Sequence, residues 1–324
     1  MNAVKPVRSG HLANLVEDAI DAAGLTAPAW SAGAVGIAAW LFGHKTLRPV
    51  AIGLGLVSAV GAAITVIPRW PNAKRITTPP DTTPPDTTPP ETASPEPAPP
   101  KTLRLVAANV WVNNPNRAAV ADDLLSLNAD VLVISELTSD LHARLIKHFP
   151  HSMTVELDTP GTDFAHGVYA RYPLGHAAHE PGIAGQAIVT RVEGPEPFWL
   201  FALHLPRPVI FGPVRWGCAR PKGLRKAVDA VVSLAATKNE PVVITGDLNL
   251  SDRTPGYRAL ARTYRDAMRN GWAGSTFGNS LFWKATLLRI DHLFVSPSWS
   301  VTSQRRVEIT GSDHLGLVAD LTPT

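Results

Sequence analysis

Cysteine is almost missing from these 324 residues: Cys218 stands alone, so neither an intrachain disulfide framework nor a cysteine-rich zinc module can form. Charge is scarce as well. Asp, Glu, Lys and Arg make up 18% of the chain, against about 25% in an ordinary soluble domain, so part of it is expected to avoid water. Neither sign dominates either: 30 Lys and Arg face 27 Asp and Glu, too small a surplus to argue for nucleic acid or an anionic surface. Proline, by contrast, is abundant at 30 residues, and its placement divides the chain.

The missing charge is concentrated near the N-terminus. No charged residue lies between Asp21 and Lys45, counting His44 as neutral, nor in the twenty residues between Arg48 and Arg69. A helix rising ~1.5 Å per residue needs about 20 such residues to cross a ~30 Å hydrocarbon core. Residues 1–75 are therefore read as a membrane region with transmembrane helices near 27–43 and 50–67. Gly33, Gly36, Gly53, Gly55 and Gly61 permit close helix contact in lipid. A cleaved signal peptide fits poorly, because the apolar stretch begins too far from Met1.

Residues 76–100 change character. Ten of these 25 residues are proline, none is aromatic, and Thr-Thr-Pro-Pro-Asp occurs twice, followed by a third copy ending in Glu91. No core can form from this composition, and a disordered, semi-rigid polyproline linker is expected, ~3.1 Å per residue. Residues 101–324 then read as one domain. Apolar strand patterns lie near 103–112, 130–135, 166–171, 187–192, 198–205, 242–245, 289–295, 307–309 and 317–321. Helical periodicity lies near 116–128, 140–149 and 222–237. Helical crossovers mixed with hairpin-like strands imply an α/β fold with mixed sheets.

Polar groups interrupt those strands at their ends. Asn109 closes Leu-Val-Ala-Ala, Glu136 closes Val-Leu-Val-Ile-Ser, and His204 closes Leu-Phe-Ala-Leu. Asp247 and Asn249 close Val-Val-Ile-Thr-Gly, Asp291 and His292 interrupt Leu-Leu-Arg-Ile, and Asp313-His314 precede Leu-Gly-Leu-Val-Ala. Taken singly, each has a plain structural reading, such as a strand-end cap or a satisfied core histidine. Their recurrence at strand ends points to one rim, where sheet-based sites are built.

The segments Ala-Asn109-Val-Trp, Ile-Ser-Glu136-Leu, Ala-Leu-His204-Leu, Gly246-Asp247-Leu-Asn249, Arg289-Ile-Asp291-His292 and Ser312-Asp313-His314 resemble the endonuclease/exonuclease/phosphatase (DNase I-like) superfamily. They keep the family's order and span essentially all of residues 101–324; Gly-Asp-Leu-Asn and Ser-Asp-His are the specific ones. The family usually has Phe where Leu248 stands, a mild departure. The resemblance implies a four-layer α/β/β/α sandwich of two mixed sheets and a divalent-metal-dependent hydrolase of phosphate esters or phosphoanhydrides.

The residue types agree with that chemistry. Asn109, Glu136 and Asp313 offer hard oxygens suited to Mg²⁺ or Mn²⁺. Asp247 and Asn249, two apart, can hold an attacking water, and His314 oriented by Asp291 can meet the developing charge as an imidazolium. The resemblance implies the same roles and adds His204 near the leaving group or phosphate. No serine or cysteine nucleophile motif and no Walker loop occurs, so direct water attack is the simplest mechanism. Arg220 and Arg225, in a basic stretch with Arg215, Lys222 and Lys226, and separately Arg171, are candidate phosphate contacts; a solvated helix face is the plain alternative for the stretch.

Membrane spans, linker and compact domain together resemble a membrane-anchored bacterial subgroup of the family associated with glycopeptide resistance. A lipid bilayer and a lipid-linked or envelope phosphate such as isoprenyl pyrophosphate are the expected partners, with the domain outside the cytoplasm. Nucleic acid, cut by a DNase I-like endonuclease or exonuclease, is the alternative substrate. Against it, residues 101–324 carry 23 Lys and Arg to 20 Asp and Glu, and no long basic insertion. A non-catalytic stalked binding module is a further alternative, disfavoured by the intact acid, amide and imidazole set.

Overall fold

The computed structural model describes residues 102–324 apart from 157–164, 176–177, 181, 210–213, 215–216, 253, 270–275 and 278–287. The expected spans near 27–43 and 50–67 and the linker 76–100 lie outside the described residues. Among the described residues no helix is long and apolar enough to cross a membrane.

In chain order the elements are β1 (Leu103–Asn109), α1 (Arg117–Ser126), β2 (Val131–Leu137), α2 (Ser139–Leu145), β3 (His151–Glu156), β4 (Ala165–Ala170), β5 (Ala178–His179), β6 (Gln186–Val192), β7 (Phe198–His204), β8 (Arg207–Pro208), β9 (Cys218–Ala219), α3 (Pro221–Ala236), β10 (Val242–Asp247), α4 (Pro255–Thr263), β11 (Arg265–Asp266), β12 (Asp291–Val295), β13 (Trp299–Glu308) and β14 (Leu315–Pro323). They make two six-stranded sheets, ordered β13-β14-β1-β2-β4-β3 and β11-β12-β10-β7-β6-β5, plus the small pair β8-β9. Each large sheet holds a central parallel pair joined through a helix: β1 with β2, and β7 with β10. Their other neighbours run antiparallel, so both sheets are mixed.

Strand alternation sorts the side chains into layers. Leu105, Ala107, Val131 and Val133 of the first sheet meet Leu200, Ala202, Val243 and Leu293 of the second to form the inner core. The opposite faces bury Val106 and Ile134 under α1 and α2, and Phe201 and Ile244 under α3 and α4. The result is the α/β/β/α sandwich expected from the sequence.

Besides the two-residue strands, β3, all but the end of β13, and α4 escaped the sequence reading. β3 and β13 are outer strands of the first sheet, and their sequences, His-Ser-Met-Thr-Val-Glu and Trp-Ser-Val-Thr-Ser-Gln-Arg-Arg-Val-Glu, carry too few buried apolar residues to announce a strand. α4 is short and polar; it is held by Pro255 in its first turn and by Thr254, whose hydroxyl accepts from the Tyr257 N–H.

Two glycines shape the inner end of the second sheet. Gly246 has φ +129, and a Cβ there would stand 2.1 Å from the Leu203 carbonyl oxygen of β7. Gly185 has φ +97, and its Cβ would meet the His204 carbonyl oxygen at 2.4 Å. Each immediately precedes a polar residue of the site. Gly246→Ala should therefore destabilise the chain by about 2 kcal/mol or more in denaturant unfolding. Gly182→Ala, where nothing stands within 4 Å, should be near neutral.

Candidate active site

The parallel strands end together, and their last residues form the site. In the second sheet the pairing Gln186↔His204, His204↔Asp247 and Asp247↔Asp291 puts four polar residues on one rung across β6, β7, β10 and β12. Residues on one rung of neighbouring strands share a face. From the first sheet, Asn109 ends β1 and Glu136 sits near the end of β2, where the register against β4 shifts between Ile134 and Leu137.

Asn109 closes the gap between the sheets. Its Nδ2 donates to Asp247 Oδ2 at 3.0 Å and to Glu136 Oε1 at 3.2 Å, while its Oδ1 accepts from the Trp111 N–H at 3.0 Å. Glu136 Oε2 in turn accepts from the Val112 N–H at 2.9 Å. Trp111, Glu136 and Asn249 all carry positive φ, at 60°, 59° and 50°. Such backbone persists where its surroundings impose it, and it gathers at functional sites.

The turn before β14 is tied to the same place. Ser312 Oγ donates to the Asn109 carbonyl at 2.7 Å and accepts from the His314 N–H at 3.0 Å. His314 Nδ1 lies 2.8 Å from Asp291 Oδ2, and its Nε2 lies 3.9 Å from Asp247 Oδ2. His204 Nε2 approaches the same Asp247 oxygen at 3.8 Å. Asp247 is 3% exposed, and its Oδ1 accepts from the Asn249 N–H. Asn249 turns its own Nδ2 away, to the Leu205 carbonyl at 2.8 Å.

Burial and charge pull these groups apart in proton affinity. Burial pushes Asp247 up to about 7, with Asp291 adding to the shift while His314 and Asn109 oppose it. Burial alone would lower His314, but Asp291, Asp247 and Asp313 outweigh it and raise the imidazole to about 10. His204 goes the other way: burial holds it down at about 4, against the pull of Glu136. Asp313 is raised by burial, opposed by His314 and reinforced by Glu136.

Asp247, Asp291 and His314 could bring three ligand atoms within 4.8 Å of one another. In that set His314 Nδ1 is taken up by Asp291 at 2.8 Å, which leaves Nε2 as the nitrogen that could face a cation. Glu136 and Asp313 fit better: they are hard oxygen donors whose mutual repulsion a divalent cation would relieve.

The remaining candidates divide. Arg220 precedes α3 and donates to the Val209 carbonyl at 3.3 Å. Arg225 helps line a hollow with Pro208, Pro221, Leu224 and Leu250, beside the segments that follow His204 and Asn249. Arg171 is a correction. It follows the end of β4 that pairs with the start of β2, so it lies at the rim opposite Glu136, with Nε on the Ala129 carbonyl and beside Asp130. His292 faces the other side of β12, its Nε2 on the Leu250 carbonyl.

Sequence reasoning missed Gln186 and Thr276. Gln186 Oε1 meets His204 Nδ1 at 2.9 Å, and the buried Thr276 hydroxyl accepts from the N–H groups of Ile290 and Asp291 at 3.1 Å each. Gln186 carried the usable signal, since it is a polar residue at the end of an apolar strand, Gln-Ala-Ile-Val.

The sequence profile of a family described as Endonuclease/Exonuclease/phosphatase matches residues 106–314. No curated protein sequence matches the chain. Among solved structures it is similar to an endonuclease/exonuclease/phosphatase from Beutenbergia cavernae DSM 12333, at 20% identity over 68% of this chain and 72% of that one, TM-score 0.53. A second, from Bacteroides vulgatus, shows 17% identity over 69% and 100%, TM-score 0.55. A third is D. rerio TDP2 complexed with a single-strand DNA product, at 14% over 68% and 99%, TM-score 0.52. At these identities the likeness is one of fold.

The His314 shift carries a stability signature. Its folded pKa is raised above the ordinary 6.5, so its contribution is fully present below 6.5 and is lost as pH climbs through about 10. In EDTA, the stability advantage of the wild type over His314→Gln should therefore narrow between pH 8 and 10.5. An advantage that widens over this range would contradict the paired imidazolium.

Proposed function

The chain belongs to the endonuclease/exonuclease/phosphatase family, and we propose that it is a membrane-anchored phosphohydrolase acting on a lipid-linked phosphate or pyrophosphate. Hydrolysis of phosphate esters is the chemistry of the family. The observation that carries its assignment to these residues is the convergence of two imidazole nitrogens, His204 Nε2 and His314 Nε2, on one oxygen, Asp247 Oδ2, at 3.8 and 3.9 Å. A water within hydrogen-bond reach of that oxygen meets a carboxylate poised near neutral pH to take its proton.

The division of labour follows from the protonation states. Asp247 accepts the proton as the water oxygen bonds to phosphorus and the bond to the leaving oxygen breaks. His314, charged and held by Asp291, donates through Nε2 to phosphoryl oxygens as charge accumulates. Asn109 keeps Asp247 and Glu136 in register across the sheets. Glu136 and Asp313 would hold Mg²⁺ or Mn²⁺, which, when bound, neutralises phosphate charge and screens the leaving oxygen.

The lipid assignment rests on sequence and surface. Two uncharged runs and a Thr/Pro linker would keep the domain within reach of a bilayer and raise the effective concentration of anything embedded there. The hollow among the segments that follow His204 and Asn249 combines the apolar side chains of Pro208, Pro221, Leu224 and Leu250 with Arg225, a pairing that suits a phosphate next to a hydrocarbon unit. A location outside the cytoplasm belongs to the same reading. A nuclease is the second reading, favoured by the DNA product bound to the D. rerio relative.

Two outcomes test this. Glu136→Ala, Asp247→Asn and His314→Ala should each lower kcat by about 10²-fold or more, and EDTA should abolish turnover until Mg²⁺ or Mn²⁺ is restored. At matched metal and salt, kcat/KM on a prenyl pyrophosphate should exceed that for plasmid nicking; efficient nicking without release of lipid phosphate would favour the nuclease.

A further inference from the structure

His204 is held by a side chain that the reaction described above does not use. Gln186 opens β6, is 2% exposed, and lies on the His204 rung. Its Nε2 is 3.2 Å from the Val155 carbonyl oxygen of β3, in the other sheet, and its Oε1 is 2.9 Å from His204 Nδ1. A backbone carbonyl can only accept, so the Gln186 nitrogen must face Val155 and its oxygen must face the imidazole. That oxygen can only accept too. His204 Nδ1 therefore carries the proton, and a neutral ring with Nδ1–H has its lone pair on Nε2, the atom 3.8 Å from Asp247 Oδ2.

We infer that Gln186 is a positioning residue that locks His204 in the Nδ1–H tautomer, so that Nε2 serves as a hydrogen-bond acceptor for the attacking water. The inference rests on the hydrolase reading of the site and gives His204 a definite side of the reaction. A lone pair turned toward an anionic phosphoryl oxygen would repel it, whereas the same lone pair attracts a water hydrogen. Two acceptors 3.8 Å apart allow one water oxygen to sit about 2.8 Å from both. Both its hydrogens are then engaged by the protein, and its lone pairs are left for phosphorus. His204 thus works with Asp247 on the nucleophile, and His314 alone among these imidazoles donates to the phosphate. Because the lock begins at a β3 carbonyl, the water's orientation is set by the spacing of the two sheets.

The test uses the full-length chain carrying ¹⁵N-labelled histidine, with His204 identified by the signal absent from His204→Gln. Long-range ¹H–¹⁵N spectra of the metal-free wild type should show the Nδ1–H tautomer. Gln186→Leu, which removes the acceptor, should shift the ring toward Nε2–H and lower kcat on bis(p-nitrophenyl) phosphate by roughly 10–100-fold, with KM changed less than about threefold. Gln186→Glu keeps an acceptor at Nδ1 but sets its second oxygen against the Val155 carbonyl and a charge beside the ring, so it should retain the proton on Nδ1 without restoring kcat. A wild-type spectrum of the Nε2–H tautomer overturns the inference without any variant, so misfolding of the leucine variant would not shelter it. Unchanged tautomer and kcat in Gln186→Leu overturn it as well. Absence of hydrolysis of both the diester and a prenyl pyrophosphate by the wild type would count against the hydrolase reading, while the spectra would still decide whether the lock exists.

Discussion

The bond from Asn109 Nδ2 to Asp247 Oδ2 is the interaction on which the rest of the site depends. It crosses from one sheet to the other at their polar ends, where the apolar core can no longer hold them together. A buried carboxylate without a donor is expensive, and Asp247 is nearly sealed from solvent. The amide that satisfies it also reaches Glu136, while its own oxygen is engaged by the Trp111 N–H. Turning the amide over would set its oxygen against two carboxylates, so its orientation is determined by its surroundings. One neutral side chain thereby fixes the spacing between two carboxylates, Asp247 and Glu136.

Two histidines in this small space hold opposite charge states, and their neighbours explain the difference. His314 touches Asp291 and lies near Asp247 and Asp313, so burial works against a surplus of negative charge and loses. His204 meets the neutral amide of Gln186 through Nδ1, and there burial wins. Environments that push like groups apart in this way mark acid and base assignments. His166 extends the pattern: fully buried with Nδ1 near Ser135 Oγ, it is held down at about 3 by burial and by His204 beside it.

Much of this was legible in the sequence, because an acidic, amide or imidazole group that ends an apolar strand is conspicuous. Asn109, Glu136, His204, Asp247, Asp291 and His314 could be found that way, and the α/β sandwich followed from strand and helix periodicity together with the family motifs. Register could not be read. Gln186 bears the same mark as the others, yet only the pairing of β6 with β7 puts it beside His204. Arg171 failed for the converse reason: the antiparallel course of β4 carries it to the far rim. β3 and all but the end of β13 were invisible because outer strands need little apolar surface, and their polar sequences resemble loops.

The first sheet pairs its earliest strand with its latest, Leu103 with Leu321 and Ala107 with Leu317. More than two hundred residues separate these partners, so β1 must wait at the ribosome, its edge unpaired, until β14 has been made. Contacts of such long range close slowly and leave hydrophobic edges exposed in the meantime. His314 lies at the threshold of β14, so the last pairing to form is also the one that brings the charged imidazole to Asp291. Synthesis therefore withholds the completed cluster of acids, amides and imidazoles until almost the whole domain has emerged.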